Sequence, residues 1–438
     1  MSNNPLIDKN GIFINDIVSR ESKSYDTEFI NINKNNNISE KKYFSNLAIN
    51  KKKDYINILR KLKDSSQTPK QFIILESNMN NNLKMIALNA INKLNKLDND
   101  TSEYHKLDQW ISELIKIPFN KYITLPVNYN SSKSDKQSFL INTNNILNKV
   151  VYGHKNAKQH ILQVLCKWMT NEHSGGNVLA IQGPMGNGKT TLVKDGISKA
   201  INRPFAFIPL GGASDVSYFN GHGYTYEGSR WGKIVDILKN CNCMNPIIYF
   251  DELDKVGDSD KGREIIHMLT HLTDATQNSL FVDNYFSGID IDLSKVLFIF
   301  SFNDEYKIDK ILKDRMYVIN TSGYKIHDKV NIANDYLLPK LFDIYKLNNN
   351  IIITKDIIEH IINHFTHNEE GVRNLNRCLE TILSKFNMYS ILHSDKPPID
   401  LEYSFDDFSL PYKFTIKDIN NLLNNYKNKD NTHVNMYM

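Results

Sequence analysis

The sequence predicts an α/β protein, in which a helical N-terminal segment precedes a parallel, doubly wound sheet and an all-helical domain follows it. Two observations carry that reading. Short apolar runs alternate with helical stretches: "VLAI" at 178–181, "FAFIPL" at 205–210, "PIIYF" at 246–250 and "VLFIFSF" at 296–302. This is how strands buried on both faces of a parallel sheet read. After Gly323 the strand-like runs stop, and "KVNIANDYLLPKLF", "KDIIEHIINHF" and "GVRNLNRCLETILSKF" place apolar residues at helical spacing.

The expected organisation follows in chain order. Residues 1–66 are Asn- and Lys-rich with little periodicity, and read as weakly ordered or accessory. Residues 67–145 form a helical segment and linker. Leu83, Ile86, Ala87, Ala90, Ile91, Leu94 and Leu97 recur at helical spacing, "YHKLDQWISELIKIPF" is amphipathic up to Pro118, and "NYNSSKSDK" reads as linker. Residues 146–322 hold the α/β domain, 323–425 the helical domain with a C-terminal extension, and 426–438 a polar tail.

Composition excludes several classes. The chain has 438 residues, with 53 Lys and Arg against 49 Asp and Glu, a net charge of +4. No strong global field therefore draws it to nucleic acid or to a membrane surface. Four cysteines in a chain of this length do not make a disulfide framework, and Cys241-Asn-Cys243 lacks a second pair at zinc-ribbon spacing. No apolar run approaches the roughly 20 residues that span a bilayer, and the N-terminus does not read as a signal peptide. The expectation is a soluble, cytoplasmic protein with no membrane partner. Heavy use of Asn, Lys and Ile suits an AT-rich genome, such as that of a parasite or a large DNA virus, where host cytoplasm or virion would be the location. The basic run from Lys51-Lys52-Lys53 to Lys63 admits a nucleic-acid contact, although a solvated helix face is the plainer reading.

The chemistry is concentrated after the first apolar run. Gly183-Pro184-Met185-Gly186-Asn187-Gly188-Lys189-Thr190, followed by Thr191, matches G-x-x-x-x-G-K-T between a strand and a helix. Its glycines turn backbone N–H groups toward phosphates at a helix N-terminus, Lys189 reaches the β- and γ-phosphates, and the Thr190 hydroxyl holds Mg²⁺. "IIYF" runs directly into Asp251 and Glu252, suited to the magnesium shell and to polarising an attacking water. "VLFIFSF" ends at Asn303, whose amide can orient that water. The implied ligands are ATP and Mg²⁺. Two histidine sets lie at helical spacing, His267 with His271 and His360 with His364 and His367; in the first Met268 stands where H-E-x-x-H needs its Glu, and both fall on helices already accounted for, so neither reads as a metal site.

From "VVYGHKNAKQHIL" to "GVRNLNRCLE" the chain resembles the AAA+ ATPase module of Lon proteases, an AAA+ P-loop NTPase with a helical lid. "PLGGASDVSYFNGHGYTYEGSRWGKI", "NPIIYFDELDK", "QNSLFVDNYF", "DLSKVLFIFSFN", "LKDRMYVINTSGY" and "IANDYLLPK" carry the likeness, which covers roughly residues 80–390. The resemblance implies further roles. Arg315 takes the arginine-finger position toward a neighbouring subunit, and Arg373 the sensor-2 position in the lid. Tyr152, Gly153 and His154 cradle adenine from one side, Tyr324 and Ile332 from the other. Tyr226 and Glu227 fall in the loop that lines the central pore, where Glu227 replaces an aliphatic residue. "GDSDKGREII" and "TDATQN" lack the family's usual Asp-Pro and Pro-Glu.

The resemblance implies a homo-oligomeric ring, a hexamer, that remodels, unfolds or threads protein substrates. After the lid, no match to the family's Ser–Lys peptidase motif is found, so no peptidase activity is expected from this chain, and a separate protease is an alternative partner. The competing expectations are a nucleic-acid-linked AAA+ factor and a scaffold that binds ATP without turnover.

Overall fold

A computed structural model describes residues 14–32, 38–64, 68–171, 178–213, 215–226, 228–257, 259–347, 350–393, 399, 401–406 and 408–427. The chain divides into two compact units, Met1–Ser77 with Lys84–Asn99, and Asn78–Leu83 with Asp100–Met438.

Among the described residues of 1–66, read from sequence as weakly ordered or accessory, helices span Ile14–Ile32, Ile38–Ser45 and Ile49–Asp64; Lys70–Glu76 follows. The buried apolar residues of the first unit are Phe44, Ile56, Ile74, Ala87, Ile91 and Leu94, and Phe29 stacks on Phe44. A buried charge accompanies them. Lys52, the centre of the basic run, is fully buried and donates to Asp26 Oδ1 and Ser22 Oγ, each at 2.8 Å. Arg60 is bound bidentately by Glu28. Two of the cations that suggested nucleic-acid contact are thus consumed inside this unit.

The second unit is built on a five-stranded sheet. Its strands are β1 (Val178–Gln182), β2 (Phe205–Pro209), β3 (Ile247–Asp251), β4 (Leu297–Phe302) and β5 (Tyr317–Asn320). They run in the order β2-β3-β4-β1-β5, all parallel. The four apolar runs are strands, and β5 is a fifth that the sequence reading did not separate from its flanks. Every residue of β4 is buried, as a strand covered on both faces requires. On one face, helices Lys133–Val150 and Lys155–Thr170 pack Leu147, Ile161, Leu165 and Trp168 against Leu179, Ile181, Tyr249 and Ile299. The first of these helices begins inside the stretch expected to be linker, where Ser132 caps it by accepting from the Asp135 N–H.

The C-terminal domain is mainly helical, with Ile326–Ile332, Leu338–Tyr345, Lys355–Phe365, Arg373–Leu392 and Ile416–Leu422 around Ile361, Phe365, Leu379 and Phe386. It is not all-helical: Ile351–Ile352 pairs in parallel with Tyr412–Lys413. Residues 401–427 complete its core, with Phe405, Tyr412 and Phe414 packed around the Phe386 ring. Tyr426, assigned from sequence to the tail, packs on this core and shares a hydrogen bond with Thr381; residues 428–438 lie outside the described residues.

Candidate nucleotide site

Parallel sheets bind ligands beyond the carboxyl ends of their strands, where strand order reverses. Here that point is β1, flanked by β4 and β5. The turn after β1 carries the phosphate loop, β3 ends in Asp251-Glu252, β4 runs into Asn303, and β5 leads through Thr321 to Tyr324. A cavity of about 950 Å³ lies there between the sheet and the helical domain. Met185, Gly186, Asn187, Gly188, Lys189, Thr190 and Thr191 line it, together with Asp251, Glu252, Asn303, Tyr152, Tyr324, Ile332 and Arg373.

The loop and the helical domain touch directly. Gly186 sits at φ +73°, and a Cβ there would stand 2.9 Å from the Arg373 Cβ. Val372 N–H donates to the Gly186 carbonyl at 3.1 Å. A Cβ on Gly371 would fall 2.1 Å from the Met185 carbonyl oxygen. Glycine is needed on both sides of this contact so that Arg373, the first residue of its helix, reaches the loop. Glu369 fixes that helix by accepting from the N–H groups of Asn374 and Leu375, both at 2.9 Å.

Lys189 Nζ donates to the carbonyls of Gly183 (2.7 Å) and Pro184 (2.9 Å) and to Asn303 Oδ1 (3.0 Å). Burial lowers its pKa to about 8, against the pull of Asp251 and Asp254, and Arg373 lowers it further. Two cations facing one cavity, one of them partly desolvated, is an arrangement an anion relieves. The Thr190 hydroxyl lies 3.2 Å from the Tyr249 phenol, and the Ser301 hydroxyl donates to Asp251 Oδ1. A carboxylate and a hydroxyl facing the phosphate loop are the hard oxygen donors that Mg²⁺ prefers. Among the described residues, no cluster of three or more His, Cys, Asp or Glu side chains forms a separate metal site. His271 is hydrogen-bonded to His267 and Gln277, and His360 to Asn420.

Glu252 occupies the left-handed region, φ +58° and ψ +46°. Such a backbone costs a non-glycine residue roughly 1–3 kcal/mol and is found where a side chain must be aimed. Its carboxylate lies over Gly211, where a Cβ would be 2.4 Å from Oε2. Asp254 was missed from sequence although it stands in the same motif. Asp254 is buried, and its Oδ2 accepts from the backbone N–H groups of Asn303 and Asp304, both at 3.2 Å, which holds the end of β4 beside Lys189.

Other expected residues sit elsewhere. Gly153 and His154 do not line the cavity; they face an adjoining cleft. His154 Nε2 lies 2.9 Å from both the Asn187 carbonyl and the Tyr324 hydroxyl, and that hydroxyl also donates to the Asn187 carbonyl. His154, whose backbone is left-handed (φ +49°), therefore props the phosphate loop through the Asn187 carbonyl. Arg315 does not reach its own cavity either. Its Nη1 donates to Asp274 and to the Thr270 carbonyl (3.0 Å). Tyr226 is 70% exposed on a separate loop, and Glu227 lies outside the described residues.

A phosphate loop, paired acids and a polar residue ending adjacent strands, with a helical domain closing on them, define an AAA-type P-loop ATPase. Residues 178–324 match the ATPase family associated with various cellular activities (AAA), and residues 346–398 match the Lon protease AAA+ ATPase lid domain. These residues form a Lon-like AAA+ ATPase module. The chain is 37% identical over 320 residues to a Lon protease homolog of Acanthamoeba polyphaga mimivirus, covering 71% of this chain and 30% of that protein. It is 32% identical over 329 residues to the human mitochondrial Lon protease homolog (75% and 33%) and 36% identical over 296 residues to the Lon protease of Clostridioides difficile (67% and 36%). The chain thus spans about a third of the length of these relatives. Among the described residues, no helix is long and apolar enough to cross a membrane.

Proposed function

We propose that this module binds Mg²⁺-ATP in the cavity between sheet and lid, hydrolyses it, and uses the cycle to pull on polypeptide as a homohexameric ring. The observation that carries the proposal is the convergence of Lys189, Thr190, Asp251, Glu252, Asn303 and Arg373, drawn from three strand ends and the lid, on one cavity. Lys189, Arg373 and the loop N–H groups hold the phosphates. Thr190 and Asp251 hold Mg²⁺, which when bound neutralises developing charge on the phosphates. Glu252 polarises the attacking water, and Asn303, pinned by Asp254, orients it. Tyr152, Tyr324 and Ile332 take the adenine ring.

Arg315, outside its own cavity, acts on a neighbour's nucleotide, which is why the ring is needed for turnover. The exposed Tyr226 grips substrate. The proposed output is force on a polypeptide, with any cleavage supplied by other residues or by a separate protease. The test is phosphate release with and without an unfolded casein, together with the mass of the particle in ATP. Hydrolysis by a ring, stimulated by casein and lost in Arg315→Ala, is expected. A monomer whose turnover is untouched by Arg315→Ala would overturn the proposal.

A further inference from the structure

The loop that carries Tyr226 is tied at its neck to a buried carboxylate. The neck closes where His222 N–H donates to the Arg230 carbonyl at 2.9 Å. Directly beneath it lies Asp283, 51 residues after Gly232 and fully buried. Its Oδ2 accepts from the Gly232 N–H at 2.7 Å and its Oδ1 from the Tyr285 N–H at 2.9 Å. The next residue, Asn284, donates from Nδ2 to the Gly221 carbonyl at 3.1 Å. Both strands of the neck are therefore held from one short segment. The approach is tight: at Gly221 (φ +79°) a Cβ would stand 2.6 Å from Asp283 Oδ1. Tyr285 forms the floor, edge-on to Tyr224 and Trp231, with ring centroids 5.7 and 5.8 Å away. Its own carbonyl accepts from Trp110 Nε1 at 3.1 Å.

A local turn explains half of this. An Asp that caps the short turn Asn284–Phe286 needs one oxygen, the one facing Tyr285. The second oxygen has no local use and goes to the loop. A carboxylate buried without a direct cation partner is costly, and an Asn would satisfy only one of the two N–H groups while turning its own amide N–H₂ toward the other. The position requires two acceptors, because it joins two segments.

We propose that Asp283 is a positioning residue for the Tyr226 loop: by accepting from Gly232 it fixes the neck, so that motion of the surrounding domain is delivered to the exposed tip. This rests on the reading of Tyr226 as the substrate grip. Asp283 touches neither nucleotide nor polypeptide, and its effect passes through the loop.

The test compares Asp283→Asn, Asp283→Ala and Tyr226→Ala in the full chain. Hydrogen exchange at the His222 and Gly232 amides should speed up by about tenfold or more in Asp283→Asn, while the phosphate-loop helix and lid stay as protected as before. ATP turnover without polypeptide should stay within about twofold, and its stimulation by unfolded casein should fall to the Tyr226→Ala level. The double variant should be no worse than either single one. Unchanged neck amides in Asp283→Asn, faster exchange throughout the domain, or additive losses in the double variant would overturn the proposal. If Tyr226→Ala leaves casein stimulation intact, the substrate reading fails, and the exchange data alone decide the role of Asp283. Should Asp283→Ala not fold, Asp283→Asn carries the test.

Discussion

The nucleotide cavity and the neck of the Tyr226 loop use polar groups in opposite ways. In the cavity, Lys189, though held by two loop carbonyls and Asn303, lines the same volume as Arg373, which repels it, and Thr190, Asp251 and Glu252 are exposed to that volume too. At the neck, Asp283 is buried and both its oxygens are committed to backbone N–H groups. Polar groups left facing a cavity are poised for a ligand; polar groups satisfied internally hold a shape. Arg315 belongs to neither class. Its Nη1 is held by Asp274 and Thr270, and no contact with its own cavity exists among the described residues.

That third arrangement is where the comparison is most easily broken. Arg315→Ala should lower ATP turnover by about 10³-fold, in the range expected of an arginine finger. Mixing Arg315→Ala subunits into wild-type rings should poison neighbours, whereas Arg373→Ala subunits should lose only their own turnover. Equal mixing curves for the two variants would place both arginines at the same site.

The neck offers a pH test. Burial raises the Asp283 pKa to about 6, against the backbone N–H groups and Lys239 that pull it down. A raised folded-state value means that the contribution to stability is fully present below about pH 4 and is lost as pH rises through about 6. The difference of roughly two units corresponds to about 3 kcal/mol between pH 4 and 7. Denaturant melts of wild type and Asp283→Asn should show this slope in the first and not in the second; parallel pH profiles would contradict it.

Two smaller effects sharpen the cavity side. Lys189→Ala should weaken ATP binding by about 100-fold in a fluorescence titration, from loss of charge-assisted hydrogen bonds. Asp254→Ala should reduce turnover by about tenfold with little change in KM, because it frees Asn303 without touching the phosphates.

The parts legible in the sequence were those whose signal is local. The phosphate loop, Asp251-Glu252 and Asn303 each sit at the end of an apolar strand, and the sheet brings those ends together. β5 was missed because it is four residues long, has one buried side chain, and borders the sheet. The first two helices escaped because they carry little apolar periodicity; the third was legible as a helix face, but the burial of Lys52 against Asp26 was not, since no periodicity reveals an ion pair. Asp254 and Asp283 were read only as parts of a motif, since their partners lie 49 to 51 residues away. His154 was assigned to the cavity wall because the resemblance locates its segment but not its backbone angle. A positive φ at a non-glycine residue leaves little trace in sequence.

The most direct test of the central claim, that this cavity hydrolyses ATP through Glu252, is ATP affinity and steady-state turnover measured side by side for wild type and Glu252→Gln. Affinity retained within about threefold with turnover reduced at least about 100-fold is the expected result. Undiminished turnover in Glu252→Gln would contradict the account.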